Sequence, residues 1–256
     1  MSLDGKAVAV TGAGSGMGEQ TARTFARRGA DVAVVDIDSD AAGETVAAIR
    51  ADTDAEAVAV TADVSAADDV AGFINRTVEA FGAIDVLHNN AGIHQESTPV
   101  EDVTEATWDR IQDVNLKSAF LGAKYAVPRM REQGGWGSAT RPVATNTQTR
   151  PESAGDDPST GGMSETIPLG RIVDLDDITN AAVVLASDDA RIISGAALEV
   201  DGGRDIRRDR TEFGGSPGEL PRHTRNRACV CRKLVMHPPF ARQRRLLVRR
   251  AVRTRQ

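Results

Sequence analysis

The segment Thr11-Gly12-Ala13-Gly14-Ser15-Gly16-Met17-Gly18 has the residue types and spacing to hold a pyrophosphate. Glycines let the backbone turn tightly and approach a phosphate, and the free N–H groups at the start of a following helix then face its charge. Such a loop alone is a weak signal, equally compatible with a plain structural turn. Asp36 strengthens it, because an acid ending the second strand of such a unit can accept hydrogen bonds from an adenosine ribose and repel a 2′-phosphate. The pair points to a dinucleotide, and to NAD rather than NADP. Gly12, Ser15, Gly16, Met17 and Gly18 are the candidate phosphate contacts, with Asp36 and Ile37 beyond them. A second possible cluster lies near the end of the chain, where Cys229 and Cys231 are flanked by His223 and His237. Cys-x-Cys at this spacing is a poor match to a zinc site, and no metal is expected.

A loop of this kind works only between a strand and a helix. Lys6 to Thr11 is a short apolar run with the shape of a buried parallel strand, and Gly18 to Arg28 has helical spacing that Gly29 closes. Further strands are expected at Asp31–Asp36, Ala57–Thr61 and Ile84–His88. Helices are expected from Ala41 to Arg50, capped by Ser39, and from Ala66 to Phe81, capped by Ser65. One long amphipathic helix is expected over Glu105–Arg131, burying Trp108, Ile111, Val114 and Leu116. The alternation predicts an α/β, Rossmann-type doubly wound parallel sheet. It breaks at Gly134, and 134–162 reads as irregular. Order returns in a helix near Asp177–Ala186 and a strand over Ala197–Val200. The expected organisation is one dinucleotide-binding domain over 1–205 and a basic tail over 206–256 without regular structure.

Composition narrows the classes further. At 256 residues, 40% hydrophobic and 27% charged, the chain can build a packed core. No apolar run is long enough to span a bilayer, and the first residues show no secretory pattern, so the chain reads as cytoplasmic. The net charge of -6 hides two regions: from Arg207 onward the balance is about +12, leaving about -18 on the remainder. Such an acidic, lysine-poor body resembles that of salt-adapted, halophilic proteins. The Arg-rich tail raises nucleic-acid binding, but its aromatics are only Phe213 and Phe240 and it has no recognisable nucleic-acid motif, so specific binding is not expected.

Several motifs in order resemble the short-chain dehydrogenase/reductase family. They are the Thr11–Gly18 loop, the pair Asp63-Val64, the segment Asn89-Asn90-Ala91-Gly92, and Asn115 within Asn-Leu-Lys-Ser-Ala-Phe. Later come Pro168–Arg171, Leu185-Ala186-Ser187 and Val200–Gly203. The resemblance covers about 1–135 and 165–205. It implies an NAD-dependent oxidoreductase interconverting a small-molecule alcohol and ketone, and a homo-oligomer. It also implies cofactor contacts at Asp63, Val64, Asn90, Ala91 and Gly92, and a catalytic role for Asn115 in a water relay.

The chain also departs from that pattern. The family's proton transfer uses a Tyr with a Lys four residues later and a nearby Ser. Here Tyr125 is the single tyrosine, Arg129 stands four residues on, and the spacing from Asn115 is too short. Tyr125 therefore reads as a helix-packing residue, and neither Ser138 nor Ser153 can be assigned as the catalytic Ser. The expectation is an internal deletion of roughly fifty residues relative to the family. It would remove the fifth strand, the Ser, the Tyr–Lys helix and the sixth strand, impair catalysis and put the oligomer in doubt. Three readings follow: an oxidoreductase, a non-catalytic NAD-binding remnant, or an interaction protein acting through its tail.

Overall fold

The computed structural model describes residues 1–95, 98–134, 137–141, 169, 171, 173–202 and 230–235. The expected pieces in 142–168 and most of the tail, including Cys229, lie outside these residues. The first four strands are β1 (Ala7–Thr11), β2 (Asp31–Asp36), β3 (Ala57–Thr61) and β4 (Val86–His88). Helices α1 (Gly16–Arg27), α2 (Ser39–Asp52) and α3 (Ala67–Phe81) connect them. After β4 come α4 (Glu105–Gln112), a π-helical turn (Asp113–Lys117), α5 (Ser118–Glu132) and β5 (Ser138–Arg141). Helix α6 (Leu175–Ala186) and strands β6 (Ala197–Glu199) and β7 (Val230–Val235) follow.

The sheet order is β3-β2-β1-β4-β5-β7-β6, with β3 through β5 parallel and β7 antiparallel to both of its neighbours. Alternation along the central strands sends side chains to two separate cores. Val8, Val10, Val32, Val34 and Val86 pack with Phe25, Ile49 and Val183 from α1, α2 and α6. Ala9, Ala33, Val35 and Leu87 pack with Phe73, Ile74, Leu121 and Met130 from α3 and α5. Period-2 patterning with both faces covered is what a parallel sheet between helix layers requires.

Several expectations need correction. The cap of α2 is Asp38, whose carboxylate accepts from the N–H groups of Asp40 and Ala41; Ser39 is already helical. Ser65 does not cap α3, because its hydroxyl is drawn to Asp63 at 2.7 Å. The single helix over Glu105–Arg131 is broken by the π-turn, which shifts the face presented to the sheet. Trp108, ahead of the turn on a helix with no buried residue, and Leu116 within the turn are 58% and 56% exposed, while Ile111 and Val114 are half-buried.

The 134–162 stretch is not irregular throughout, since Ser138–Arg141 fills the fifth sheet position beside β4. The next position is taken by Val230–Val235, a strand within the tail, which pairs β5 on one side and β6 on the other. The physical reason is common to both. An unpaired strand edge leaves N–H and C=O groups without partners, and any segment able to extend alongside it satisfies them.

His88 stands where β4 meets β5. It is 1% exposed, edge-on to the Phe25 ring, with Nδ1 2.7 Å from the Thr140 hydroxyl. Burial pushes its pKa down from 6.5 to about 4. The folded chain therefore takes up this proton less readily than the unfolded chain. Stability should fall as pH drops from about 6.5 toward 4, by on the order of 3 kcal/mol in all. Urea unfolding of His88→Val should show a flatter dependence across that window; an unchanged slope would refute the assignment.

Candidate functional site

The carboxyl ends of β1, β2, β3 and β4 all open on one edge of the sheet. The chain reverses direction of travel between β1 and β4, which is where open α/β sheets form a ligand crevice. The loop after β1 carries Gly12 to Gly18, β2 ends at Asp36, Asp63 follows β3, and Asn90 follows β4. The four predicted clusters are thus brought together.

Thr11, 2% exposed, ties two of these loops. Its hydroxyl accepts from the N–H groups of Asn90 at 3.0 Å and Ala91 at 3.1 Å. The Asn90 side-chain amide returns the link, donating to the carbonyls of Thr11 at 3.0 Å and Gly12 at 3.1 Å. Asn90 is therefore a fastener of the glycine loop as well as a crevice residue. Thr11 was absent from the predicted contacts, although a Thr ending an otherwise apolar strand is a readable signal. Thr45 adds a second anchor, donating to the Ala13 carbonyl at 3.0 Å.

Room for a phosphate can be tested at two glycines. A Cβ on Gly18 would collide with the Gly12 carbonyl and stand 2.5 Å from the Asn90 amide, so close packing of α1 on the loop requires its absence. Gly16 has φ +56 and open space around it, beside the start of α1. Ser15 at that start makes no side-chain cap, so it takes none of the first N–H groups of the helix. A cradle with free donors and an empty approach fits a pyrophosphate.

Asp36 accepts from Gly14 N at 2.8 Å on one carboxylate oxygen and from Asp38 N at 3.1 Å on the other. Each oxygen keeps a lone pair for a further donor. Ile37 beside it is 70% exposed at the crevice rim. Asp63 is held below the ordinary carboxylate range, first by the Ser65 hydroxyl and then by the Ser65 N–H. Val64, Ala91 and Met17 are half-buried, and Gly92 is exposed.

Asn115 lies in the π-turn and clamps the loop after β4. Its carbonyl oxygen accepts from Ile93 N at 2.8 Å, and its amide donates to Ile93 O at 2.8 Å. Tyr125 is elsewhere: half-buried against the α3–α5 core, with the Lys124 ammonium 5.2 Å from its ring centre. A hollow of about 770 Å³ at the opposite end of the sheet is lined by Asp4, Arg27, Arg28, Asp31 and Asp52. Asp52 there is paired with Arg23 and Arg27, and the hollow is remote from every residue named above.

Comparison with known proteins agrees with this architecture. The short chain dehydrogenase family model matches residues 6–140, and the model described as enoyl-(acyl carrier protein) reductase matches residues 138–205. The chain belongs to the short-chain dehydrogenase/reductase family. It is 31% identical to D-threitol dehydrogenase from Mycolicibacterium smegmatis over 250 residues, covering 80% of this chain and 95% of that one. It is 44% identical to an uncharacterized oxidoreductase from Thermotoga maritima over 135 residues, covering 53% of this chain and 52% of that one. The chain spans about half the length of that protein and of several other relatives it matches. Among solved structures, 3-ketoacyl-(acyl-carrier-protein) reductase from Brucella melitensis complexed with NADH superposes with a TM-score of 0.68 at 32% identity. That match covers 80% of this chain and all of the other.

Thr11→Val keeps the shape of this buried side chain and removes both acceptor contacts. It should lower the unfolding free energy by about 1–3 kcal/mol. Denaturant melts would check this, and an unchanged midpoint would show that the clasp does not hold the loops.

Proposed function

We propose that this chain is an NAD-linked oxidoreductase of the alcohol–ketone class, with a complete cofactor cradle and slowed proton transfer. The observation that carries the reading is the convergence of Gly12–Gly18, Asp36, Asp63 and Asn90 on one crevice, with the glycine loop and Asn90 locked by Thr11. Bound NAD would supply the hydride acceptor. Ser15, Gly16, Met17 and Gly18 would bind its phosphates, Asp36 and Ile37 its adenosine ribose, and Asp63 with Val64 its adenine. Asn90, Ala91 and Gly92 would border the nicotinamide half, with Asn115 holding that border in place.

The preference for NAD rests on charge. A fixed carboxylate at Asp36 repels a 2′-phosphate and welcomes two ribose hydroxyls. The substrate class rests on likeness to relatives named as dehydrogenases of D-threitol and of meso-2,3-butanediol. Slow turnover is inferred from Tyr125, the chain's single tyrosine, being held in helix packing away from the crevice. An internal shortening is supported by the D-threitol dehydrogenase match. It runs over 250 positions but uses 80% of 256 residues, about 205.

Calorimetry should find NAD bound about tenfold or more tightly than NADP, and Asp36→Ala should remove most of that difference. Equal affinities in the wild-type chain would overturn the NAD assignment. Tyr125→Phe should leave both NAD affinity and any turnover within about twofold, because a packing ring without its hydroxyl keeps nearly all its contacts.

A further inference from the structure

Two helices start at the crevice, α1 after β1 and α2 after β2, and their first turns are finished differently. At α1, Ser15 makes no side-chain cap and takes none of the first N–H groups. At α2, Asp38 does the opposite. One oxygen of its carboxylate accepts from Asp40 N at 2.9 Å and from Ala41 N at 3.1 Å, and its carbonyl accepts from Ala42 N at 3.1 Å. These are ordinary capping bonds, but their place gives them a second effect. Asp38 N itself donates to Asp36 Oδ1 at 3.1 Å. On the other side, a Cβ on Gly14 would stand 2.8 Å from the Ala41 Cβ and 2.9 Å from Asp36 Oδ2. The first turn of α2 is thus packed against the carboxylate assigned to the adenosine ribose, and the Thr45 bond to the Ala13 carbonyl holds the helix there. No Lys or Arg occurs in the sequence between Arg28 and Arg50, so this segment supplies no cation for a further phosphate. Its anion-attracting feature is the start of α2, through backbone N–H groups and the helix dipole, and Asp38 occupies it.

We propose that Asp38 is a second determinant of cofactor choice in this chain, acting as a plug. Its carboxylate fills the α2 N–H groups that would otherwise receive the 2′-phosphate of NADP, and sets a negative charge beside them. The inference rests on the NAD reading above and divides the preference into two parts. Asp36 selects for the free ribose hydroxyls by accepting from them. Asp38 acts against the phosphate. Removing Asp36 alone therefore weakens the preference without reversing it, because the phosphate still meets an occupied helix start. Removing both leaves open donors at the end of a helix of 14 residues, a site that favours the added charge.

The test is calorimetry on the full chain, reading the ratio of NAD to NADP affinity in an Asp36→Ala background. Adding Asp38→Gly should move that ratio about tenfold toward NADP, the effect of opening N–H groups at a helix start to a phosphate. Glycine is the substitution of choice because it empties the cap position while weakening the helix little. Adding Asp38→Asn instead keeps an oxygen on the same N–H groups, and should move the ratio about threefold or less. Asp38→Gly made alone should shift the ratio in the same direction, which preserves the test if the double variant does not fold. A ratio unmoved by Asp38→Gly, or moved equally by Asp38→Asn, would overturn the plug. A wild-type chain that binds neither dinucleotide would instead overturn the cofactor reading on which the inference rests.

Discussion

The reciprocal fastening of Thr11 and Asn90 is the constraint on which the crevice depends. Thr11 ends β1 and Asn90 lies two residues beyond β4, its neighbour in the sheet, and each satisfies backbone groups that the strand ladder has just released. A loop that must stay open for a ligand cannot bury its own polar groups against itself. Here they are satisfied sideways, by the neighbouring loop, leaving the surface over α1 unobstructed. Close packing of Gly18 under the Gly12 carbonyl completes the arrangement from below. The geometry is fixed by short polar side chains and by missing ones, with little help from hydrophobic bulk.

The same reasoning explains which parts of the fold were legible in the sequence. Strands β2 and β3 match their expected limits, and β1 and β4 differ by one or two residues, because buried parallel strands are apolar runs ended by glycine or acid. The predicted contacts also reach one crevice, since each directly follows a strand whose end is easy to recognise. Helix caps were less legible. Asp38 and Ser39 are both competent, and the choice between them is decided by one residue of register. Ser65 looked like a cap, but a carboxylate two residues earlier offered its hydroxyl a stronger acceptor.

The π-turn at Asp113–Lys117 shows a different limit. Hydrophobic periodicity over Glu105–Arg131 assumes one winding throughout, and a wider turn midway rotates everything beyond it. Leu116, within that turn, is left exposed, while Asn115 reaches the Ile93 backbone. A departure from regular helix that looks costly locally is what lets one amide reach both groups of a neighbouring peptide. Strands β5 and β7 escaped notice for another reason. Their places in the sheet are set by open edges elsewhere in the molecule, and four to six residues of mixed character announce no strand on their own.

The position of β7 between β5 and β6 has a consequence for how the molecule is made. Residues 138–141 and 197–199 share a sheet only through residues 230–235, so the far half of the sheet closes across a separation of about ninety residues. The near half needs nothing beyond β4 and the helices that cover it. On a ribosome, β1 to β4 emerge first, α6 later completes the cover on one face, and the far strands stay unclosed until residues 230–235 are made. The nucleotide-holding part and the sheet-closing part of this protein therefore mature at different times. The interval between them is when its strand edges are most open to the wrong partner.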